Sequence, residues 1–185
     1  MALRAPTLMA KPHSHLDEIS LLSDDLKQTL IGLERVTSLL VDARSSRGAL
    51  ERVGLVLSDV LRAERWSIML KTELDVIRIS LAKGLPTEVI RETQLKLGEG
   101  IAGRVAQDAS PVLYSNVEYE LGMTSGGNYA SPSAISVPIV LRGAVLGVIN
   151  LSDKRTDDDS IGRFDESDLA LALMALALAL PAAVG

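Results

Sequence analysis

The chain has 185 residues, 47% of them apolar, with 24 acidic against 19 basic side chains and a formal net charge of −5. That length fits one domain of ordinary size, the apolar content excludes a largely disordered chain, and the acidic balance without a basic cluster argues against a protein that tracks nucleic-acid phosphates. Cysteine is absent and aromatics make up 3%, which removes disulfides, thiolate catalysis and Cys-based zinc sites and leaves little for stacking on bases.

Residues 1–15 carry prolines and both histidines, His13 and His15, with no apolar period. They read as a flexible tail. With no histidine beyond it, no Ser–His set and no His-based metal site can be built inside the domain. Met1–Lys11 lacks the apolar run of a secretory signal, so a cytoplasmic protein is expected. Residues 16–46 read as one long helix. Ile19, Leu22, Leu26, Thr29, Leu33, Val36, Leu40 and Ala43 follow a 3,4 spacing, the seam of a coiled coil. Leu21, Leu30, Leu39 and Val41 widen the stripe beyond what one side can cover, which predicts a homodimer with Ile19, Leu22, Leu26, Leu33, Val36 and Leu40 in its seam. The alternative is a helix packed on its own domain.

Ser45–Gly48 reads as a break and 48–63 as a second helix, with Leu50, Val53, Leu57, Val60 and Leu61 at helical spacing. The period then changes to two, predicting a hairpin with strands near 65–71 and 75–82. A short helix at about 86–93 starts at Pro86. Gly98-Glu99-Gly100 is a turn, 100–109 a helix and Pro111–Tyr114 a short strand. Residues 115–132 hold Asn, Gly, Ser, Tyr and Pro without a period, the mark of a long loop that carries function. Ala134–Leu141 and Ala144–Asp153 are strands joined at Arg142-Gly143. A last helix spans 166–180, capped by Asp165 or Ser167. Its alternating Leu and Ala resemble a strand by period, but both are strong helix formers and no β-branched residue intervenes. Leu169–Gly185 carries no charge; it reads as a buried helix rather than a membrane anchor, being at the lower limit of a span. Hairpins at both ends of the order predict an α+β domain with a mostly antiparallel sheet.

Four stretches resemble the GAF domain in their order and spacing: RWSIMLKTELDVIRISLAKGLP (65–86), LKLGEGIAGRVAQDASPVLYSNV (95–117), SAISVPIVLRGAVLGVINLSDK (133–154) and FDESDLALALMALA (164–177). The resemblance covers about 48–180 and sets the domain at 47–182, after the tail at 1–15 and the helix at 16–46. It implies a central antiparallel sheet of about six strands, helices on one face, a ligand pocket on the other, and terminal helices that pair in parallel dimers and relay signals. It implies a sensory or regulatory module of a bacterial signalling type, binding an unidentified small molecule or a partner such as a kinase or response regulator. A protein-interaction adaptor without a ligand is the alternative. The chain reads either as a stand-alone adaptor or as a piece of a longer regulator. Neither nucleic acid nor membrane is an expected partner.

Members that bind cyclic nucleotides carry Asn-Lys, then Phe, three residues, and Asp-Glu. Here Lys154, Phe164 and Asp168 match, whereas Asp153 replaces the Asn and Leu169 the Glu. The resemblance carries Lys154–Asp168 over as a structural salt bridge, and the added charge of Asp153 argues against a cyclic nucleotide. The bilin-binding and methionine-sulfoxide-reducing members need cysteines, and haem needs a histidine that the domain lacks. No cofactor and no metal are expected, and with no nucleophile–base set and no paired carboxylates, no enzymatic activity is expected either.

Gly98-x-Gly100-x-x-Gly103 matches a dinucleotide fingerprint, with Glu118 and Glu120 near the expected offset. No long buried strand precedes it, and Glu99 would repel a pyrophosphate, so the glycines are read as a turn before a short helix. Tyr114, Asn116, Tyr129, Ser131, Ser133 and Ser136 form the candidate pocket wall, supplying placed polar groups for a small ligand. Ser133 and Ser136 are also placed to satisfy backbone groups near a strand start. Asp157–Asp159 lacks the glycine turn and following Glu of a calcium loop and reads as a solvated loop.

Overall fold

The computed structural model describes residues 27, 29–35, 46–114 and 133–182, with side chains of the last helix as far as Ala179. The tail at 1–15, most of the helix expected over 16–46 and the loop at 115–132 lie outside the described residues. Ser46–Val60 forms helix α1, followed by the hairpin β1 (Ala63–Lys71) and β2 (Val76–Lys83). Helix α2 (Thr87–Glu92), strand β3 (Gln94–Lys96), helix α3 (Gly100–Asp108) and strand β4 (Val112–Tyr114) come next. The chain ends in the hairpin β5 (Ala134–Leu141) and β6 (Ala144–Lys154) and helix α4 (Glu166–Ala182). The strands make one six-stranded sheet in the order β3-β2-β1-β6-β5-β4, every pair antiparallel. The expected α+β architecture with about six strands is therefore the observed one.

Three boundaries differ from expectation. Helix α1 starts at Ser46, so Ser46, Arg47 and Gly48 form its first turn instead of a break; serine and glycine are tolerated at a helix start even where they are poor in its interior. It ends at Val60 because Arg62 takes a left-handed φ of 53° and Ala63 is already in β1, two residues before the expected strand. Strand β3 was not anticipated: it has three residues, pairs on one side only through Val76–Lys96, Ile77–Leu95 and Arg78–Gln94, and shows no apolar run.

Alternation divides the central strands between two faces. Trp66 and Ile68 of β1, Ile135, Val137 and Ile139 of β5, and Ile149 and Leu151 of β6 point toward α1 and α4, where they meet Val53, Leu57, Ala172, Ala175 and Leu176. Helix α1 presses close enough that a Cβ on Gly54 would lie 2.6 Å from the Trp66 ring. On the other face Met69, Ile77 and Val148 pack under Ala102, Val105 and Ala106 of α3.

The helical segment 29–35 lies against this same domain. Gly32 is buried where a Cβ would meet Leu171 and Val60 at 3.0 and 3.1 Å, Leu33 packs on the core between α1, α4 and the sheet, and Arg35 pairs with Asp59. Leu33, expected in an intermolecular seam, is thus applied to its own domain, the alternative that the apolar stripe had left open. Ile31 remains exposed, as do Leu173, Met174 and Leu178 on the outer side of α4. Among the described residues no helix is long and apolar enough to cross a membrane.

Candidate functional site

The face of the sheet under α3 is built in three rows, set by strand register. Met69, Val148 and Pro138 lie opposite one another across β1, β6 and β5 and form the apolar row. The next row is Ser67, Asn150, Ser136 and Val112, and the one beyond it Arg65, Ser152, Ala134 and Tyr114. Opposed residues share a face and alternate residues change it. The floor therefore grades from apolar, through neutral polar, to a row that ends in a charge.

The middle row is hydrogen-bonded across three strands. Ser136 Oγ donates to Asn150 Oδ1 at 2.7 Å, and Asn150 Nδ2 donates to Ser67 Oγ at 3.2 Å. Asn150 is the hub, because an amide offers donor and acceptor at once. In the outer row the Arg65 Nε lies 3.0 Å from Asp153 Oδ2, whose side chain is 2% exposed. Asp153 has a left-handed φ of 58°, a conformation that Asn and Asp accept more readily than other side chains. That explains how Asp stands where the resemblance has Asn, and Arg65 compensates the extra charge that weighed against an anionic ligand.

The same end of these strands meets the start of α4. The Phe164 backbone N–H donates to Ser133 Oγ at 2.9 Å. Lys154 pairs with Asp168, and its ammonium stands 5.6 Å from the Phe164 ring centroid. Asp165 and Asp168 cap the helix reciprocally: the Asp168 N–H donates to Asp165 Oδ1 at 3.0 Å and the Asp165 N–H to Asp168 Oδ2 at 2.9 Å, a capping box with an aspartate at its third position. Asp165, not Ser167, is the cap. Burial pushes the Asp168 carboxyl above its ordinary value, against the opposing pull of Lys154 and the Asp165 N–H. Outside this cluster the hydrogen bond from Arg155 holds Glu64 below the usual carboxylate range.

Of the wall residues expected from sequence, Tyr114, Ser133 and Ser136 are described, all at least nine-tenths buried. Tyr114 and Ser136 stand in adjacent rows of the floor. Ser133 is committed to Phe164, in the backbone-satisfying role. Asn116, Tyr129 and Ser131 lie outside the described residues, as do Ile19, Leu22, Leu26, Val36 and Leu40 of the expected seam. Sequence reasoning missed Ser67, Asn150 and Ser152. Their signal was present: each is a polar residue inside a strand of large apolar neighbours. The glycine motif serves the fold. Gly98 and Gly100 take φ of 85° and 63°, and a Cβ on Gly103 would lie 2.4 Å from the Lys96 carbonyl. Glu99 points back to accept the Lys96 N–H at 2.9 Å. Among the described residues no group of acidic or histidine side chains could hold a metal ion.

A six-stranded antiparallel sheet with α1 and α4 on one face and α3 over the other defines an α+β domain. The profile of the GAF domain matches residues 47–183, and the chain belongs to the GAF domain family. It is 28% identical over 152 residues to the Nif-specific regulatory protein of Azospirillum lipoferum, covering 79% of this chain and 24% of that protein. The chain thus spans about a quarter of the length of the curated relatives it matches. The GAF domain from an Acinetobacter phosphoenolpyruvate-protein phosphotransferase superposes with a TM-score of 0.69 at 21% identity, over 88% of this chain and 94% of that one. The free methionine-R-sulfoxide reductase from Neisseria meningitidis, in complex with its substrate, does so with a TM-score of 0.65 at 19% identity, over 88% and 93%.

Proposed function

We propose that this chain is a sensory or regulatory module of signal transduction, in which a small ligand held on the α3 face of the sheet biases the position of the terminal helices. The observation that carries the reading is the junction at Ser133: this residue, just before β5 and next to Ala134 of the site floor, is hydrogen-bonded to Phe164, at the entrance to α4. A ligand that binds one arrangement of that junction better than another shifts the population of the helix positions, and no chemical step is required. The absence of cysteine separates this chain from the thiol chemistry that the resemblance associates with reductase members. A regulatory role is in keeping with the Nif-specific regulatory proteins to which the chain is related, and a kinase or response regulator is the output partner we propose. The cytoplasm is the proposed compartment.

The module acts as a homodimer in this reading, through the 16–46 stripe and the uncharged outer side of α4, where Leu173, Met174 and Leu178 are 38–45% exposed. A contiguous apolar strip of this kind marks an interaction surface. Light scattering at micromolar concentration is expected to give twice the chain mass, and Leu26→Asp to halve it; a monomer mass for the parent protein would overturn the dimer. For the sensor reading, the test is amide NMR on ligand addition. Shifts must appear both in the floor, at Ser67 and Asn150, and at Phe164–Asp168. Shifts confined to the outer surface of α4 would instead favour a protein-interaction adaptor.

A further inference from the structure

We propose that the helical segment 29–35 is an autoinhibitory strap: docked between α1 and α4, it withholds Leu33 from a second copy of the chain, and its release tightens the homodimer; this rests on the dimer reading above. The docked contact is close but shallow. Its centre is the buried Gly32, where a Cβ would meet Leu171 of α4 at 3.0 Å and Val60 of α1 at 3.1 Å. A glycine suits so close an approach, yet it is a poor residue for a helix interior. Beside it Leu33 is half-buried against the core. Arg35 closes the contact on Asp59, with the two side chains 48% and 63% exposed, and an ion pair so open to water holds little. Leu30 is also only half-buried, and Ile31 is exposed. The segment thus buries its smallest residue and leaves much of its apolar surface to water, whereas in α1 Ala49, Val53 and Leu57 are almost wholly buried. A segment held in this way belongs to the part of a fold that opens first.

Two covers compete for Leu33. In sequence it belongs to the 3,4 spacing of the apolar stripe, which is self-matching and so fits a second copy. In the docked segment the same side chain is turned onto its own domain. One side chain cannot fill both places. Docking and a seam that runs through Leu33 are therefore alternatives, and whatever weakens one strengthens the other. The strap is also placed to be released. Leu171 stands in the second turn of α4, whose entrance is tied to Ser133 through Phe164. A displacement of α4 at that junction moves Leu171 relative to Val60 and changes the space that Gly32 fills. The ligand event of the sensor reading then has an output within this chain, the strength of its dimer.

The test is the dimer dissociation constant of the full chain, measured by analytical ultracentrifugation over a dilution series. Asp59→Arg lies on α1, outside the stripe, and breaks the ion pair without altering the segment. It is expected to tighten the dimer roughly two- to fivefold. Adding Arg35→Asp restores the pair with its charges exchanged and is expected to return the parent value. Gly32→Leu, which cannot dock beside Leu171 and Val60, is expected to tighten the dimer roughly tenfold. A dissociation constant unchanged or raised in Asp59→Arg overturns the inference and leaves the dimer reading standing. A monomer for the parent and for every variant overturns both. Hydrogen exchange on the parent chain is the second measurement. The amides of 30–35 are expected to exchange well before those of Val53 and Leu57; exchange of the two groups together would make the segment a fixed part of the core and overturn the strap.

Discussion

The two faces of one sheet are made from neighbouring residues and obey different rules. On the helix face β1, β5 and β6 present Trp66, Ile68, Ile135, Val137, Ile139, Ile149 and Leu151, all nearly or wholly buried and packed on α1 and α4. On the site face the same strands present Ser67, Ser136 and Ser152, buried almost as deeply, and the partly buried Asn150. The first face is held by the area it removes from water, about 25 cal/mol per Å². The second gains little of that and depends on whether each polar group finds a partner. A strand can therefore be the stable scaffold and the adaptable floor at once, because its period of two separates the tasks residue by residue.

This contrast orders the effects of substitution. Ile68→Ala, at a fully buried position of the helix face, should cost about 2–5 kcal/mol in urea unfolding. Gly54→Ala should cost about 1–3 kcal/mol, because its new Cβ meets the Trp66 ring and neither helix nor strand can withdraw freely. On the site face Ser136→Ala should cost about 1–2 kcal/mol, by leaving the Asn150 carbonyl oxygen without its donor. A loss there as large as that of Ile68→Ala would erase the distinction between the faces.

Smaller effects test the parts that join them. Asp165→Ala removes the cap of α4 and should cost about 1 kcal/mol. Asp158, in the exposed turn after β6, is held down from an ordinary 3.8 to about 2, first by the Thr156 hydroxyl and then by Ser160. A carboxyl depressed on folding adds stability above its ordinary value and loses it as the pH falls through the folded one. The order of the turn should therefore fade between about pH 4 and pH 2. Thr156→Ala should raise the Asp158 titration midpoint in a carbonyl NMR titration while leaving Ile68 packing unchanged.

Much of the helix face was legible in sequence, because hydrophobic periodicity reports burial against an apolar neighbour. The β1–β2 and β5–β6 hairpins and α4 all follow from it, the last despite a Leu/Ala alternation that mimics a strand. Strand β3 was not legible: three residues at an edge hold no period, and its pairing depends on where β2 lies. Of the candidate floor, Tyr114 and Ser136 stand out in sequence because they flank an irregular stretch. Ser67, Asn150 and Ser152 do not, since their meaning is a matter of register: Ser67 and Asn150 are 83 positions apart in the chain and become neighbours only when β1 and β6 pair. The fate of Leu33 shows a related limit. A stripe of leucines states that something must cover it, not whether that cover is another chain or the same one.

Trp66 is the single tryptophan of the chain. Its ring lies under Gly54 of α1, and the next residue, Ser67, belongs to the site floor. The protein thus contains a fluorophore at the boundary between the surface that would receive a ligand and a helix that would answer it. An event on one side of the sheet that moves α1 by a fraction of an ångström changes the contact of that indole, and its emission becomes a direct optical record of traffic across the sheet.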